Sequence, residues 1–269
     1  MSERAEAPTR LARRLDLGDA VVIGLGSMVG AGVFAAIGPA ADVAGSGLLI
    51  GLGVAAVVAY CNATSSAQLA ACYPTSGGAY VYGRERLGPF WGHLAGWGFV
   101  VGKTASCAAM ALTFGAYLAP SWQRPIGVLA VLVLTAVNYR GIRKTAGVTR
   151  WIVALVFVAL GVVVVAALFG GTTDADRLGD PTGGVRGTLQ SAGLLFFAFA
   201  GYARIATLGE EVTDPSRTIP RAIPRALGIA LAVYVVVAIS ALLAVGPDAL
   251  AASKAPLTTV VRAGDLAEL

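Results

Sequence analysis

Gly24, Gly26, Gly30 and Gly32 fall within nine residues, in the stretch Gly24-Leu25-Gly26-Ser27-Met28-Val29-Gly30-Ala31-Gly32-Val33-Phe34. That density has a chemical use in an apolar environment. Each glycine weakens a helix by about 1 kcal/mol relative to alanine, and backbone N–H and C=O groups freed away from water must find partners. Bare amides at the start of a following half-helix can hold a carboxylate, and bare carbonyls can hold an ammonium group. The same glycines also fit a packing reading, because Gly26 and Gly30 satisfy the GxxxG pattern that lets two membrane helices approach closely. On this stretch alone the two readings stand level. A dinucleotide-binding loop is set aside, since no strand precedes the glycines and no third glycine stands at the required spacing.

A second stretch, Leu194-Leu195-Phe196-Phe197-Ala198-Phe199-Ala200-Gly201-Tyr202-Ala203-Arg204, is followed by Gly209-Glu210-Glu211-Val212-Thr213-Asp214-Pro215. One glycine is a weak break. Arg204 and Lys103 are the two basic residues inside apolar runs, where insertion at the bilayer centre costs about 2.5 to 3.5 kcal/mol, so such side chains face a cavity or a partner. No carboxylate lies inside any apolar run to pair with them. Lys103 is read either as an ammonium reaching for an interface or as a desolvated amine able to exchange a proton. Arg204 does not deprotonate, and is expected to brace the two glycine-bearing stretches or meet a carboxylate.

The remaining reactive residue types carry less. His93, the one histidine, sits near Trp91 and Trp97 as an interfacial residue. Cys61, Cys72 and Cys107 form no CxxC pair, so neither a disulfide framework nor a metal site is expected. Asn62-Ala63-Thr64 fits a glycosylation acceptor but lies in an apolar run. An intramembrane enzyme would need a nucleophile and base, a carboxylate dyad or metal ligands within the spans, and the sequence offers none. No cofactor is expected.

The elements that must position these residues are set by the solvent. Of 269 residues 57% are apolar and 13% charged, and mean hydropathy is +0.75. Soluble domains carry about 25% charged residues, so a soluble enzyme is excluded. Residues 20–41, 43–83, 104–123, 151–173 and 226–247 contain no charged side chain. A helix needs roughly 20 apolar residues to cross a bilayer, and these runs lack the alternation of barrel strands. The expected fold is an all-α polytopic membrane protein with seven spans near 18–41, 47–71, 92–119, 123–139, 151–171, 188–209 and 224–245. Residues 1–16 form a tail, 17–245 the membrane domain and 246–269 an outer loop.

Basic residues orient it. With the N-terminus inside, thirteen lie on the cytoplasmic side (Arg4, Arg10, Arg13, Arg14, Arg84, Arg86, Arg140, Arg143, Lys144, Arg150, Arg217, Arg221 and Arg225) and five opposite (Arg124, Arg177, Arg186, Lys254 and Arg262). The net charge of +5 therefore reads as topology in a cytoplasmic membrane, and no basic stripe suggests nucleic acid. The polar loop from Tyr73 to Pro89, with Pro74, is expected to hold a short amphipathic helix. The loop from Gly170 to Arg186, with Asp174, Asp176 and Asp180, is expected to be solvated.

Four stretches in order carry a resemblance: GSMVGAGVF, YPTSGGAYVYGRERLGPFWGHLAGW, NYRGIRKTAG, and FFAFAGY with GEEVTDPSRTIPRAI. Together they resemble the amino acid-polyamine-organocation superfamily of amino acid permeases. The resemblance implies a leucine-transporter-like helical bundle of inverted five-span repeats, which binds an amino acid at the breaks of the first and sixth helices and exposes it to each side in turn. Carried over by position, carboxylate-binding amides fall on Gly30, Ala31 and Gly32. Ammonium-binding carbonyls fall on Met28, Phe197 and Ala200. The aromatic gate falls on Phe197, with Phe199 and Tyr202 beside it. Glu210, Glu211, Pro215 and Arg217 are read as helix termination and gate packing.

Three departures refine this. The region Trp151 to Leu168 lacks the basic residue some relatives place there in lieu of a coupling sodium ion, so a coupling proton at that place is in doubt and an exchanged amino acid stays open as the partner. Ala203 stands where relatives often carry a polar side chain, and with Lys103 and Arg204 positive the expected substrate is neutral or acidic rather than cationic. Relatives have about twelve spans, so here the first repeat is complete and the second cut short. A truncated, non-transporting membrane protein with an assembly or sensing role is the alternative reading.

Overall fold

The structure is a computed structural model that describes residues 15–73, 75, 77–139, 145–170, 173–179 and 181–264. Arg4, Arg10, Arg13, Arg14, Pro74, Arg140, Arg143, Lys144 and Asp180 lie outside the described residues. Among the described residues the chain forms α-helices, short 3-10 turns and two isolated β-bridges, with no longer strand. The helices are α1 (Leu17–Met28), α2 (Ala31–Ala35), α3 (Ile37–Ala44), α4 (Leu48–Cys72), α5 (Ala79–Leu87), α6 (Pro89–Leu118), α7 (Gln123–Tyr139), α8 (Thr145–Phe169), α9 (Gly184–Phe199), α10 (Tyr202–Ala206), α11 (Pro215–Ala252) and α12 (Pro256–Ala263).

Seven stretches are long and apolar enough to cross a membrane: Leu17–Ala35, Leu48–Cys72, Pro89–Leu118, Pro120–Val137, Thr149–Phe169, Gly184–Ala206 and Pro215–Ala252. They follow the expected spans in number and order, so the chain is an all-α polytopic membrane protein. The short helix expected between the second and third spans is α5. It ends at Gly88, whose φ of 101° is open to glycine, and Pro89 then starts α6.

Local chemistry sets where the spans begin. Asp16 caps α1: the Asp19 N–H donates to Asp16 Oδ1 at 2.8 Å, and the Asp16 N–H donates back to Asp19 Oδ2 at 3.3 Å. This reciprocal capping satisfies two amides that a helix start otherwise leaves bare. Packing then relies on small residues. On α4, Ala55, Ala59, Ala63 and Ala67 recur every four residues and are buried, a stripe that lets α9 and α11 lie close. Lipid-facing surface is the reverse: α7 exposes Val128, Leu129, Leu132 and Val133, which hydrocarbon solvates without penalty.

One expectation at the face bearing Asp174 is corrected and another gains a contact. The stretch 246–269, expected as an outer loop leading to a missing eighth helix, contains the last turns of α11 and then α12, whose Leu257 and Val260 are buried. The apolar positions Leu257, Val260 and Val261 recur at helical spacing, a pattern too short to register as a span. The loop before α9 is exposed at Asp174 and Asp176, as expected of a solvated loop, and it also docks on α11. Gly246 takes φ 75° inside α11, and Pro247 offers no N–H to the Leu243 carbonyl four residues back. Two donors from the loop replace it: the Asp174 N–H at 3.0 Å and Arg177 Nη1 at 2.9 Å. Arg177 Nη1 also donates to the Ala244 carbonyl.

Arg177→Ala removes a guanidinium from carbonyls that the kink has stripped of helical donors. The expected loss is about 1 kcal/mol of stability, read as a lower midpoint in thermal unfolding of the detergent-solubilised protein, with Arg177→Lys in between.

Candidate substrate site at two helix breaks

The first span does interrupt. α1 ends at Met28, Val29 turns away from helical geometry (φ −79°, ψ 82°), and Gly30 is extended (φ −160°) before α2 starts at Ala31. The Gly30 N–H folds back onto the Met28 carbonyl at 2.9 Å, while the Gly30 carbonyl accepts from Val33 and Phe34 at 3.1 and 3.3 Å. Ala31 and Gly32 are the first residues of α2, where a helix leaves its opening N–H groups without an intrahelical partner. α2 runs on into α3 through Ala36, which keeps right-handed helical angles.

The sixth span changes more gently. Between α9 and α10, Ala200 (φ −60°, ψ −11°) and Gly201 (φ −63°, ψ −19°) form a tightened turn. Its bonds run three residues back: Ala200 N–H to Phe197 O at 3.2 Å, Ala203 N–H to Ala200 O at 3.4 Å and Arg204 N–H to Gly201 O at 3.0 Å. The Phe197 and Ala200 carbonyls, expected to face an ammonium group, thus each already accept one backbone bond. So does the Met28 carbonyl.

The breaks lie against each other with no side chain between. A Cβ on Gly32 would stand 2.4 Å from Ala198 Cα, and one on Gly201 would stand 2.3 Å from the Ser27 carbonyl oxygen. Gly26 packs instead towards Thr149 and Val153 of α8, and Gly30 has no atom within 4 Å of its Cβ position. The glycine cluster is therefore divided: Gly26 and Gly32 serve close packing, and Gly30 faces open space. That space is a cavity of about 330 Å³ lined by Gly30, Phe34, Met110, Thr113, Phe114 and Tyr117. Its two hydroxyls are engaged, Thr113 donating to Ala109 O at 2.8 Å and Tyr117 to Phe34 O at 2.8 Å.

Sequence reasoning missed Tyr234. On α11, with 3% of its surface exposed, it places its hydroxyl 2.6 Å from the Met28 carbonyl and 2.9 Å from the Ala198 carbonyl, one from each break. Its ring meets Phe199 edge to face at 5.1 Å. A signal existed: Tyr234 is the one aromatic residue in the charge-free run 226–247, and a phenol buried there needs a partner.

The expected gate residues separate. Phe197 is 39% exposed on α9, whereas Phe199 is fully buried against Tyr234 and Tyr202 is buried with its hydroxyl on the Ser66 side chain. Lys103 projects from an exposed face of α6, about two turns before Met110, with Nζ 5.7 Å from the Phe99 ring centroid. Arg204 gains a partner that the sequence did not show: the chain folds back after α10 and brings Glu211 Oε1 within 3.7 Å of its guanidinium, with Thr207 Oγ1 at 3.2 Å. A carboxylate just beyond the span supplies the partner that no residue within it could.

Around that turn several contacts hold the Asp16 face together. The Leu15 N–H donates to Glu211 O at 3.1 Å, and the Thr213 N–H returns a bond to Leu15 O at 2.9 Å. Arg150 of α8 pairs with Asp19 of α1. The Tyr82 hydroxyl of α5 donates to Ala206 O at 3.4 Å, and burial pushes its phenol up to about 12, so it keeps its proton at ordinary pH. Pro215 starts α11, and Arg217 stands 3.7 Å from Asp214.

Comparison with known proteins bears on what this arrangement is for. The amino acid permease family matches residues 19–265. An uncharacterized transporter of Mycobacterium tuberculosis is 66% identical over 258 residues, covering 96% of this chain and 59% of that protein. Cationic amino acid transporter 7 of Arabidopsis thaliana is 28% identical, covering 88% of this chain and 46% of its own length. A branched-chain amino acid permease of Bacillus subtilis is 26% identical, covering 84% and 54%. The chain thus spans about half the length of the curated relatives it matches.

The two glycines give opposite expectations. Gly32→Ala drives a methyl into the Ala198 backbone and is expected to cost about 1 to 3 kcal/mol, seen as a lower unfolding midpoint or loss of monodisperse protein. Gly30→Ala meets open space and should leave folding intact, while Gly30→Leu fills the cavity and should abolish amino acid binding without preventing insertion. Unchanged binding in Gly30→Leu would remove the cavity from the site.

Proposed function

Since this chain belongs to the amino acid permease family, we propose that it carries an amino acid across the cytoplasmic membrane by alternating access, with its N-terminus in the cytoplasm. The observation that carries the reading is the contact of two interrupted helices beside a cavity. In this account the cavity at Gly30 receives the substrate side chain, the amides opening α2 hold its carboxylate, and the Met28 carbonyl shares its ammonium group. Phe197, the exposed aromatic of the second break, closes over it. The first and sixth spans are the corresponding members of two inverted repeats.

The proposed substrate has an uncharged side chain, or an acidic one. Phe34, Met110 and Phe114 line the cavity, and no carboxylate there balances a cationic side chain. Arg204 contributes less to this preference than its charge suggests, because Glu211 offsets it. Among the matched relatives whose names carry a substrate class, four are cationic amino acid transporters and one is a branched-chain amino acid permease, so the uncharged or acidic reading rests on the lining and runs against most of those names. Coupling is by proton or by exchange with a second amino acid.

A thermal-shift screen of the purified chain against the common amino acids tests this. Neutral aliphatic or aromatic amino acids should raise the midpoint, since a ligand at a hundred times its Kd adds about 2.7 kcal/mol to the folded state. Arginine and lysine should not. Stabilisation by arginine alone would reverse the side-chain assignment, and uptake of the best ligand into liposomes would separate transport from binding.

A further inference from the structure

The hydroxyl of Tyr234 has one hydrogen and two carbonyl acceptors, Met28 O at 2.6 Å and Ala198 O at 2.9 Å. It is buried, so water does not supply the second donor. The acceptors are not equivalent. Met28 O also takes the Gly30 N–H at 2.9 Å, whereas Ala198 O lies in a turn whose neighbouring amides donate to Phe197, Ala200 and Gly201. A phenol rotor between two carbonyls, each freed by a different helix break, joins the breaks through a single shared hydrogen.

We propose that Tyr234 is a positioning residue that ties the break of the first span to that of the sixth, so that a ligand N–H arriving at the Met28 carbonyl shifts the hydroxyl hydrogen to Ala198 and the two breaks respond as one. This rests on the reading that the breaks bind a substrate ammonium group. The ring fixes the geometry: Phe199 packs edge to face on it, which leaves the hydroxyl bond rotation as the free variable. The contacts of Gly32 with Ala198 and of Gly201 with Ser27 hold the two carbonyls close enough to share one donor.

The test is hydrogen–deuterium exchange of the full chain in lipid nanodiscs, first without ligand. In the unaltered protein, segments 27–33 and 198–204 should open at one common rate. In Tyr234→Phe, which keeps the ring against Phe199, both segments should exchange faster by about tenfold, the scale of one buried hydrogen bond, while α4 and α8 stay unchanged. Phe199→Leu, which keeps the hydroxyl, should retain the common rate. Different opening rates in the unaltered protein would overturn the tie without any variant having to fold. Equal protection in Tyr234→Phe, or faster exchange in one segment alone, would overturn it as well. With a stabilising amino acid added, its Kd should rise about tenfold in Tyr234→Phe but not in Phe199→Leu; an unchanged Kd in Tyr234→Phe would overturn the ligand-linked shift. If no amino acid binds the unaltered protein, the transport reading fails, and the exchange rates alone decide whether the tie exists.

Discussion

Two helices stop partway through an apolar layer and touch backbone to backbone, and most of the centre of this bundle follows from that. In hydrocarbon a freed carbonyl or amide has no water to turn to, so an interrupted helix is tolerated only where a neighbour supplies the missing partner. Here each break is the other's neighbour. Gly32 lets the restart of the first span press on Ala198, and Gly201 lets the turn of the sixth span press on the Ser27 carbonyl. Tyr234 supplies the donor that neither stretch contains. The two glycines and the phenol come from three spans yet answer one constraint, the satisfaction of peptide groups where water is excluded.

The two faces of the bundle are tied by different means. At the Asp16 face the first span is held by backbone bonds between Leu15 and the 211–213 turn and by the pair of Asp19 with Arg150. Arg150 is more than half exposed, so this pair contributes little to net stability and is inexpensive to break. At the Asp174 face, Arg177 and the Asp174 amide serve carbonyls left by Gly246 and Pro247. Tyr117 joins three elements there, donating to Phe34 O and accepting from the Leu257 N–H at 3.2 Å. Those contacts, like the Leu15 bonds of the opposite face, are with peptide groups that have no partner within a helix and are costly to leave bare.

The spans were legible because hydrophobic length is a property of contiguous sequence: residues 43–83 carry no charge, and α4 lies within them. The interruption at Gly30 was legible because glycine density is local. The partition among those glycines was not, since nothing in the stretch says that Gly26 meets Thr149 and Val153 while Gly30 meets nothing. The partner of Arg204 was hidden for a related reason. It stands seven residues on, beyond the end of the span, and comes near only because the chain reverses after Ala206. Tyr234 lies more than 200 residues from Met28. Its role depends on tertiary packing, which hydropathy does not encode. The helix α12 follows Lys254 and carries Arg262 in its last turn, charges that make a short amphipathic segment look like loop.

Electrostatics at the first break then bears on what kind of molecule suits it. A helix end carries roughly half an elementary charge, negative where carbonyls end it and positive where amides begin it. α1 presents its carbonyl end at Met28, and α2 presents its amide end at Ala31, three residues later. Opposite partial charges thus stand within a few ångströms of each other, with no ionised side chain lining the cavity beside them. A lone cation or anion would find one favourable end and one repulsive end. A zwitterion finds both favourable, provided its charges are separated by about the width of an amino acid's main chain. The full charges of Lys103 and Arg204 would upset that balance if they pointed inward. Arg204 is paired with Glu211, and Lys103 is held over the Phe99 ring on an exposed face. What remains at the break is a field set by peptide dipoles, and the proposal of a substrate carrying both signs rests on it.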